Sequence, residues 1–379
     1  MNRRHFLQIT GLSAGALCLR PSLACAADAT SVRVADGPFS FVLLGDMHFA
    51  RPAHYEPGHM DDYARKVCDL TAATWDGLWE EIAMQVREPA QRPAFVLQVG
   101  DYVHGDCPTP EKSMEHYADF VRSIRRHELS VPLFLTRGNH ELQGKGVRAA
   151  YDAHMPDYLR EVAPPSRGAA WYSFDAGSTT HITVLDVYGR GGRGGSLDAA
   201  QIVWLEADLS AFRQRAPEGL AVVVSHAPLF PMTPRGAIFD ADPAAHARLL
   251  ALLVRFRVNA VLCGHLHTVS TLTYTDAASA HRLTQIMAYS MPGAGEVKAH
   301  SFRTPRYAPE ILQPADYRTP DEMAAMRRIV ETVSPQVSGY RLAQIPGYQV
   351  VRVDPQVGLT VESFRGLGRR SFDVFKVPA

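Results

Sequence analysis

Residues Phe41 to His48 read FVLLGDMH: four apolar residues, a glycine, and then an aspartate and a histidine two positions apart. The apolar run is typical of a buried strand. The Gly45-Asp46-Met47-His48 that follows places two metal-binding side chain types where the strand ends. In open α/β sheets, ligands bind at the carboxyl ends of the strands. The stretch therefore predicts a buried strand with a polar site at its end.

Four further motifs repeat this arrangement. They are Gly100-Asp101 after FVLQV (95–99), Gly138-Asn139-His140-Glu141 after VPLFLTR (131–137), Ser225-His226 after AVVV (221–224) and Gly264-His265-Leu266-His267 after AVLC (260–263). Taken alone, a Gly-Asp is equally compatible with a turn, and a single histidine is more often an ordinary polar residue. Five such motifs, each at a predicted strand end, together indicate a dinuclear metal centre.

The types of donor also restrict the chemistry. Carboxylate, imidazole and amide ligands suit Mn, Fe or Zn, whereas a site for soft metals would be richer in Cys or Met. Two cations about 3.5–4 Å apart can stabilise both the attacking and the leaving oxygen of a phosphoryl group. The predicted cofactor is therefore a pair of divalent or trivalent metal ions.

The order D-x-H, G-D, G-N-H-[DE], H and G-H-x-H resembles the calcineurin-like metallophosphoesterase superfamily over residues 45 to 267. The resemblance implies one metal held by Asp46, His48 and His267 and a second held by Asn139, His226 and His265, with Asp101 bridging them. It also implies that His140 lies beside the metals, either as a proton donor or as an electrostatic partner of the phosphoryl group. The expected activity is hydrolysis of phosphate mono- or diesters by attack of a metal-bridging hydroxide.

One position departs from a branch of that family. Purple acid phosphatases carry a tyrosine ligand for ferric iron three residues after the second-motif aspartate, and this chain has His104 there. Tyr102 lies one residue after the aspartate and is expected to point elsewhere. The sequence leaves open whether His104 contacts the site or lies in a surface loop.

Predicted strands and helices alternate along the chain. The predicted strands lie near 40–45, 94–99, 131–136, 171–175, 181–187, 220–225 and 259–263, and the helices near 61–87, 111–128, 198–213 and 243–256. Period-2 segments at 269–275, 282–288, 348–354 and 358–364 are expected to be edge strands that close the second sheet. The pattern predicts a two-sheet α/β sandwich, and the family resemblance implies a four-layer α/β/β/α sandwich of two mixed sheets flanked by helices.

Domain boundaries follow from the same reading. Residues 38–379 are expected to form a single domain, with a Pro-rich insertion at about 293–345 that contains a helix at Pro320–Val333. A loop of this length is often a lid or a binding element, and a surface embellishment is the alternative. The Gly-rich loop Gly189–Gly195 and the segment Phe49–Met60 are further candidates for substrate contacts.

The N-terminus predicts export. Asn2-Arg3-Arg4-His5-Phe6-Leu7-Gln8 is a twin-arginine pattern, and a short apolar stretch and the small residues Ala24-Cys25-Ala26 follow it. The apolar stretch is too short to span a bilayer comfortably, so residues 1–26 are predicted to be a Tat-type signal peptide removed after Ala26. The expected location is periplasmic or secreted, with the Tat machinery as a partner.

The composition restricts the other partners. The formal net charge is zero, which gives no support for nonspecific nucleic-acid binding, and no transmembrane anchor is expected after the leader. Cys68, Cys107 and Cys263 remain after cleavage, and their spacing argues against a disulfide framework, although one bridge is possible. The expected partner is a small phosphoester. The alternatives are a cyclic-nucleotide phosphodiesterase, a hydrolase of another substrate class and a non-catalytic metal-binding protein.

Overall fold

The computed structural model describes residues 32, 34, 37–56, 58–88, 92–189, 195–234, 236–290, 302–313 and 318–379. These residues form two mixed β-sheets with helices on the outer face of each. The predicted signal peptide lies outside the described residues.

The first sheet has six strands in the order β13-β12-β11-β1-β2-β3. Their bounds are β1 Phe39–Leu44, β2 Val96–Gln98, β3 Leu133–Leu135, β11 Gly347–Asp354, β12 Gly358–Arg365 and β13 Arg370–Pro378. Strands β1, β2 and β3 are parallel, whereas β11 pairs antiparallel with β1 and opposes Val351 to Phe41.

The second sheet has seven strands in the order β10-β8-β9-β7-β6-β5-β4. Their bounds are β4 Tyr172–Ala176, β5 Thr180–Val184, β6 Leu220–Val224, β7 Ala260–Cys263, β8 Val269–Thr275, β9 Arg282–Met287 and β10 Val337–Ala343. Strands β5, β6, β7 and β9 run parallel. The carboxyl ends of β6 and β7 therefore meet at one edge of the sheet.

Alternation along β1 explains the layers. Val42 and Leu44 pack with the helices α1 (Asp62–Arg87), α2 (Pro110–Arg125) and α3 (Val147–Val162). Phe41 and Leu43 instead join the layer between the two sheets, which includes residues of both. The outer face of the second sheet packs against α4 (Ala199–Arg215), α5 (Pro243–Arg255) and α7 (Pro320–Val333). The predicted four-layer α/β/β/α arrangement is confirmed.

One part of the strand prediction was wrong. The segments at 348–354 and 358–364 are β11 and β12 of the first sheet, and they do not close the second. The segments at 269–275 and 282–288 are β8 and β9 of the second sheet, but they lie inside it, and β10 forms the edge. Period-2 alternation shows that a segment is a strand, but the partner strand is chosen by packing between distant segments. Helix α3 was not predicted because Pro156 lies within it, and an internal proline usually marks the end of a helix.

The segment predicted as an insertion contains regular structure in its described part, 302–313 and 318–345. It holds α6 (Tyr307–Ile311), the expected helix at Pro320–Val333, which a Thr319 and Glu322 capping box begins, and β10, which pairs with β8. The three cysteines in the described residues are unpaired and buried. No helix in the described part of the chain is both long enough and apolar enough to cross a membrane.

Candidate metal centre

All five motifs lie at the carboxyl ends of parallel strands. Asp46 and His48 follow β1, Asp101 follows β2, Asn139 and His140 follow β3, His226 follows β6, and His265 and His267 follow β7. The two sheets thus contribute from facing edges. The site is built where strands end because backbone pairing stops there and side chains become free to converge.

The side chains converge into overlapping groups of potential ligands. Asp46, His48, Asp101 and His267 offer donor atoms that lie within 4.8 Å of one another, and Asp101, His226 and His265 form a second such group. Asp101 belongs to both groups. Its Oδ2 lies 2.9 Å from Nε2 of His226 and 3.8 Å from Nε2 of His48. This arrangement has the form of two sites joined by a shared carboxylate.

Four of these residues have left-handed backbones. The φ angles of His48, Asp101, His265 and His267 are 47°, 54°, 76° and 51°. This region is uncommon for residues other than glycine, and such strain concentrates at functional sites. At these positions the chain turns away from the strand direction, so side chains two positions apart can converge on one point instead of standing side by side on one face of a strand.

Two buried polar atoms indicate that a cation fits this site. Oδ1 of Asn139 and Nε2 of His226 have no hydrogen-bond partner among the described residues. The Nδ1–H of His226 donates to the carbonyl of Val99 at 2.9 Å, so Nε2 is the nitrogen that a metal would bind. Nε2 lies 2.9 Å from Oδ2 of Asp101. An amide oxygen and an imidazole nitrogen in one buried site are suitable ligands for a metal.

Burial and neighbouring charges shift the pKa values of the side chains in this site. Burial raises the pKa of Asp46 to about 7, so the surrounding protein groups do not fully offset the cost of burying its negative charge. Burial lowers the pKa of His265 to about 3 and that of His48 well below its usual value, which keeps both imidazoles neutral. Burial raises the pKa of Asp101, but nearby His226 and His140 hold it well below the usual range. Burial lowers the pKa of His226, but Asp101 in turn raises it to about 9. Neutral His48 and His265 and an ionised Asp101 are in the protonation states that bind metal, whereas His226 must release a proton when a cation binds.

His140 lies at the edge of the site and is partly exposed. Its backbone N–H donates to Oδ1 of Asp101 at 3.0 Å, and its ring Nδ1 donates to the carbonyl of His104 at 2.5 Å. With Nδ1 engaged in this way, Nε2 is the nitrogen available to a substrate. The ring also packs edge-on against His48, with centroids 4.5 Å apart.

His104 lies next to the site. Only 2% of its surface is exposed, so it is not a surface-loop residue. Its ring stacks on that of His140, with centroids 5.2 Å apart. Tyr102 points away from the site, as predicted, into the helical layer, where it stacks on Phe120.

Glu141 joins two of the motifs, a role that the sequence did not indicate. Its buried carboxylate accepts three backbone N–H groups, from Gly138 at 2.6 Å, Asp101 at 2.9 Å and Val103 at 3.0 Å. Because these donors belong to the second and third motifs, Glu141 fixes the distance between them. The only sequence signal was its place at the end of the Gly-Asn-His-Glu motif.

Two tyrosines, which no sequence signal indicated, also contact the candidate histidine ligands. The Tyr188 hydroxyl lies 3.4 Å from Nε2 of His265. Tyr289 stacks parallel on His267, with ring centroids 5.2 Å apart. Both tyrosines are buried, so they limit the orientations of the imidazoles.

The two loops predicted to contact substrate, 49–60 and 189–195, place few described side chains at the site. His54, in the segment 49–60, is fully buried and bonds to Asp119 of α2 at 3.0 Å. His59 is exposed and pairs with Glu56 at 3.2 Å. Gly189 lies beside the buried ion pair of Arg137 and Asp186, and residues 190–194 of the Gly-rich loop lie outside the described residues.

Comparison with known proteins identifies the family. The sequence model of the calcineurin-like phosphoesterase family matches residues 39–269, which contain all five motifs. The chain belongs to this family. It is accordingly a metal-dependent phosphoric ester hydrolase. Serine/threonine-protein phosphatase CPPED1 of Pongo abelii is 25% identical over 245 residues, which cover 63% of this chain and 72% of that protein. The human CPPED1 is 24% identical over the same shares of the two chains.

Solved structures show the same fold at low sequence identity. A chain described as PhoD has a TM-score of 0.55 and 14% identity, and the match covers 92% of this chain and 70% of that one. A dimetal phosphatase from Danio rerio has a TM-score of 0.52 and 14% identity, with coverage of 90% and 99%. A purple acid phosphatase from Lupinus luteus seeds has a TM-score of 0.53. The fold is therefore that of the metallophosphoesterases.

Proposed function

We propose that this phosphoesterase is an exported enzyme that uses two metal ions to hydrolyse small phosphate mono- or diesters. The observation that carries the proposal is the pair of overlapping ligand groups that share Asp101. Asp46, His48 and His267 would hold one ion, and Asn139, His226 and His265 the other. When bound, two such ions stabilise charge on a phosphoryl group and make water available as a nucleophile near neutral pH.

The residues of the chain supply orientation and proton transfer. The buried, unpartnered Oδ1 of Asn139 supports its place as a ligand. His140 is held by two hydrogen bonds that leave Nε2 available to the leaving oxygen. A positioned imidazole of this kind acts as a general acid. Mn, Fe or Zn are the proposed metals, because the donors are oxygen and imidazole nitrogen.

The test is hydrolysis by the purified protein, stripped of metal and reloaded separately with Mn, Fe, Zn or Mg. We would assay p-nitrophenyl phosphate and bis-p-nitrophenyl phosphate in parallel. Turnover restored by metal supports the proposal, and the ratio of the two rates separates a monoesterase from a diesterase. Two bound ions per chain without turnover of either ester would contradict the proposed substrate class.

A phosphoserine or phosphothreonine in a protein is a second candidate substrate, because the CPPED1 relatives are named serine/threonine-protein phosphatases. A phosphoserine peptide therefore belongs in the same assay. A kcat/KM for the peptide far above that for p-nitrophenyl phosphate would favour this candidate over a small ester.

The proposed export rests on the twin arginines Arg3 and Arg4, the short apolar stretch and the small residues before position 27. We expect the wild-type chain in the periplasm or medium, shortened at its N-terminus. Replacing both arginines by lysine should keep it in the cytoplasm at full length. Equal export of the two forms would refute the Tat route without affecting the proposed chemistry.

A further inference from the structure

The rings of His48 and His104 meet behind the metal-ligand cluster. Nδ1 of His48 lies 3.4 Å from Nδ1 of His104, and the ring centroids are 5.5 Å apart at 59°. Their exposed fractions are 0% and 2%, so water does not compete for this contact. Away from a metal, two neutral imidazole nitrogens at this distance form a hydrogen bond when one carries a hydrogen and the other a lone pair.

The orientation of His48 decides which nitrogen carries the hydrogen. Its Nε2 faces the cluster, 3.0 Å from Nε2 of His267 and 3.8 Å from Oδ2 of Asp101. A nitrogen that binds metal needs its lone pair, so the imidazole hydrogen of His48 must be on Nδ1. His48 is then the donor, and Nδ1 of His104 is the acceptor.

We propose that His104 is a positioning residue that fixes the tautomer and ring orientation of the metal ligand His48. This proposal rests on the proposed function, because it takes His48 as a ligand. Partners of this kind usually are carboxylates, backbone carbonyls or water. Here a neutral imidazole takes that place, so the histidine is oriented without additional negative charge.

Hydrogen bonds hold the backbone of His104 in place. Its backbone N–H donates to the carbonyl of Phe49 at 3.0 Å, and its own carbonyl accepts from Nδ1 of His140 at 2.5 Å. The turns after β1 and β2 are thereby joined side by side. A rigid backbone makes Nδ1 of His104 a fixed acceptor, which is what an orienting partner requires.

The decisive variants are His104→Leu and His104→Asn, because the two new side chains are similar in size and only the amide can accept a hydrogen bond. Metal affinity is measured by competition with a chelator, with metal content counted per chain. His104→Leu should bind the metal at His48 about 10- to 100-fold more weakly. His104→Asn should remain within about threefold of the wild type.

His59→Leu is the matched control, since it removes an exposed histidine, 64% accessible, whose ring pairs with Glu56. It should leave the affinity unchanged. Equal losses in His104→Leu and His104→Asn would overturn the proposal, because that result is expected of a direct metal ligand; the nitrogens of His48, His104 and His140 do lie within 4.8 Å of one another. Wild-type affinity in both variants would overturn it as well.

A measurement on the wild-type chain does not depend on whether the variants fold. Long-range ¹⁵N–¹H correlations on the zinc-loaded protein, labelled at histidine, should place hydrogen on Nδ1 of His48 and on Nε2 of His104. Hydrogen on Nδ1 of His104 would refute the proposal. A wild-type chain that binds no metal would refute the proposed function too, whereas metal binding with the opposite tautomer would refute only the role of His104.

Discussion

Replacing Gly138 by alanine tests whether the third motif must touch the second. A Cβ at this position would lie 2.3 Å from Oδ1 of Asp101, 2.6 Å from the Asp101 backbone N and 2.9 Å from Cδ2 of His226. Ordinary contacts lie near 3.5 Å, so Asp101 must move by about 1 Å. The backbone contact means that a change of rotamer cannot relieve the clash.

The expected consequence is a loss of both function and stability. Misplacing a catalytic group by about 1 Å costs on the order of 100-fold in rate, whereas overpacking costs about 1–3 kcal/mol of stability. Since Asp101 belongs to both ligand groups, both metals should bind more weakly. The measurements are metal content per chain, kcat/KM for p-nitrophenyl phosphate and Tm.

Gly58→Ala is the control, because nothing lies within 4 Å of a Cβ there and its φ is not in the left-handed region. It should behave like the wild type in all three measurements. A Gly138→Ala protein with full metal content and wild-type kcat/KM would show that the second and third motifs need not approach this closely. The reasoning on the shared carboxylate would then be wrong.

Three further outcomes are expected. Asp101→Ala should weaken both metals by roughly two to four orders of magnitude, since a buried charge partner is worth about 3–5 kcal/mol; full metal retention would contradict the bridging role. His140→Ala should keep both metals but lower kcat about 10²–10⁴-fold, most for alkyl phosphates with poor leaving groups; equal losses for p-nitrophenyl and alkyl phosphates would exclude a general acid. Burial lowers the pKa of His181, but hydrogen bonds to Asp175 and Asp208, at 2.6 and 2.8 Å, raise it above its usual value. The stabilisation of the folded state by protonated His181 is therefore complete below about pH 6.5 and is lost as the pH rises through the folded-state pKa. The Tm difference between wild type and His181→Gln should shrink over that range, and a constant difference would refute an ionic network.

The alternation of strands and helices was readable from sequence because it depends on local patterns. The predicted segments near 40–45, 220–225 and 259–263 agree with β1, β6 and β7. Sheet membership was not readable, and β11 and β12 were placed in the wrong sheet. Pairing of β1 with β11 joins residues about 310 positions apart along the chain, and no local pattern specifies such a partner.

The sequence by itself determined the family and the set of candidate donor side chains. The five motifs are short, and each places chemically specific residues at the end of a strand. The tertiary structure alone decided how these residues meet: the left-handed turns at His48, Asp101, His265 and His267, the three N–H groups gathered by Glu141, and the burial of His104 against His48. The physical reason is that ligand geometry depends on the distances between loops, and strand packing sets these distances. The identity of each ligand depends only on the local sequence of its own loop.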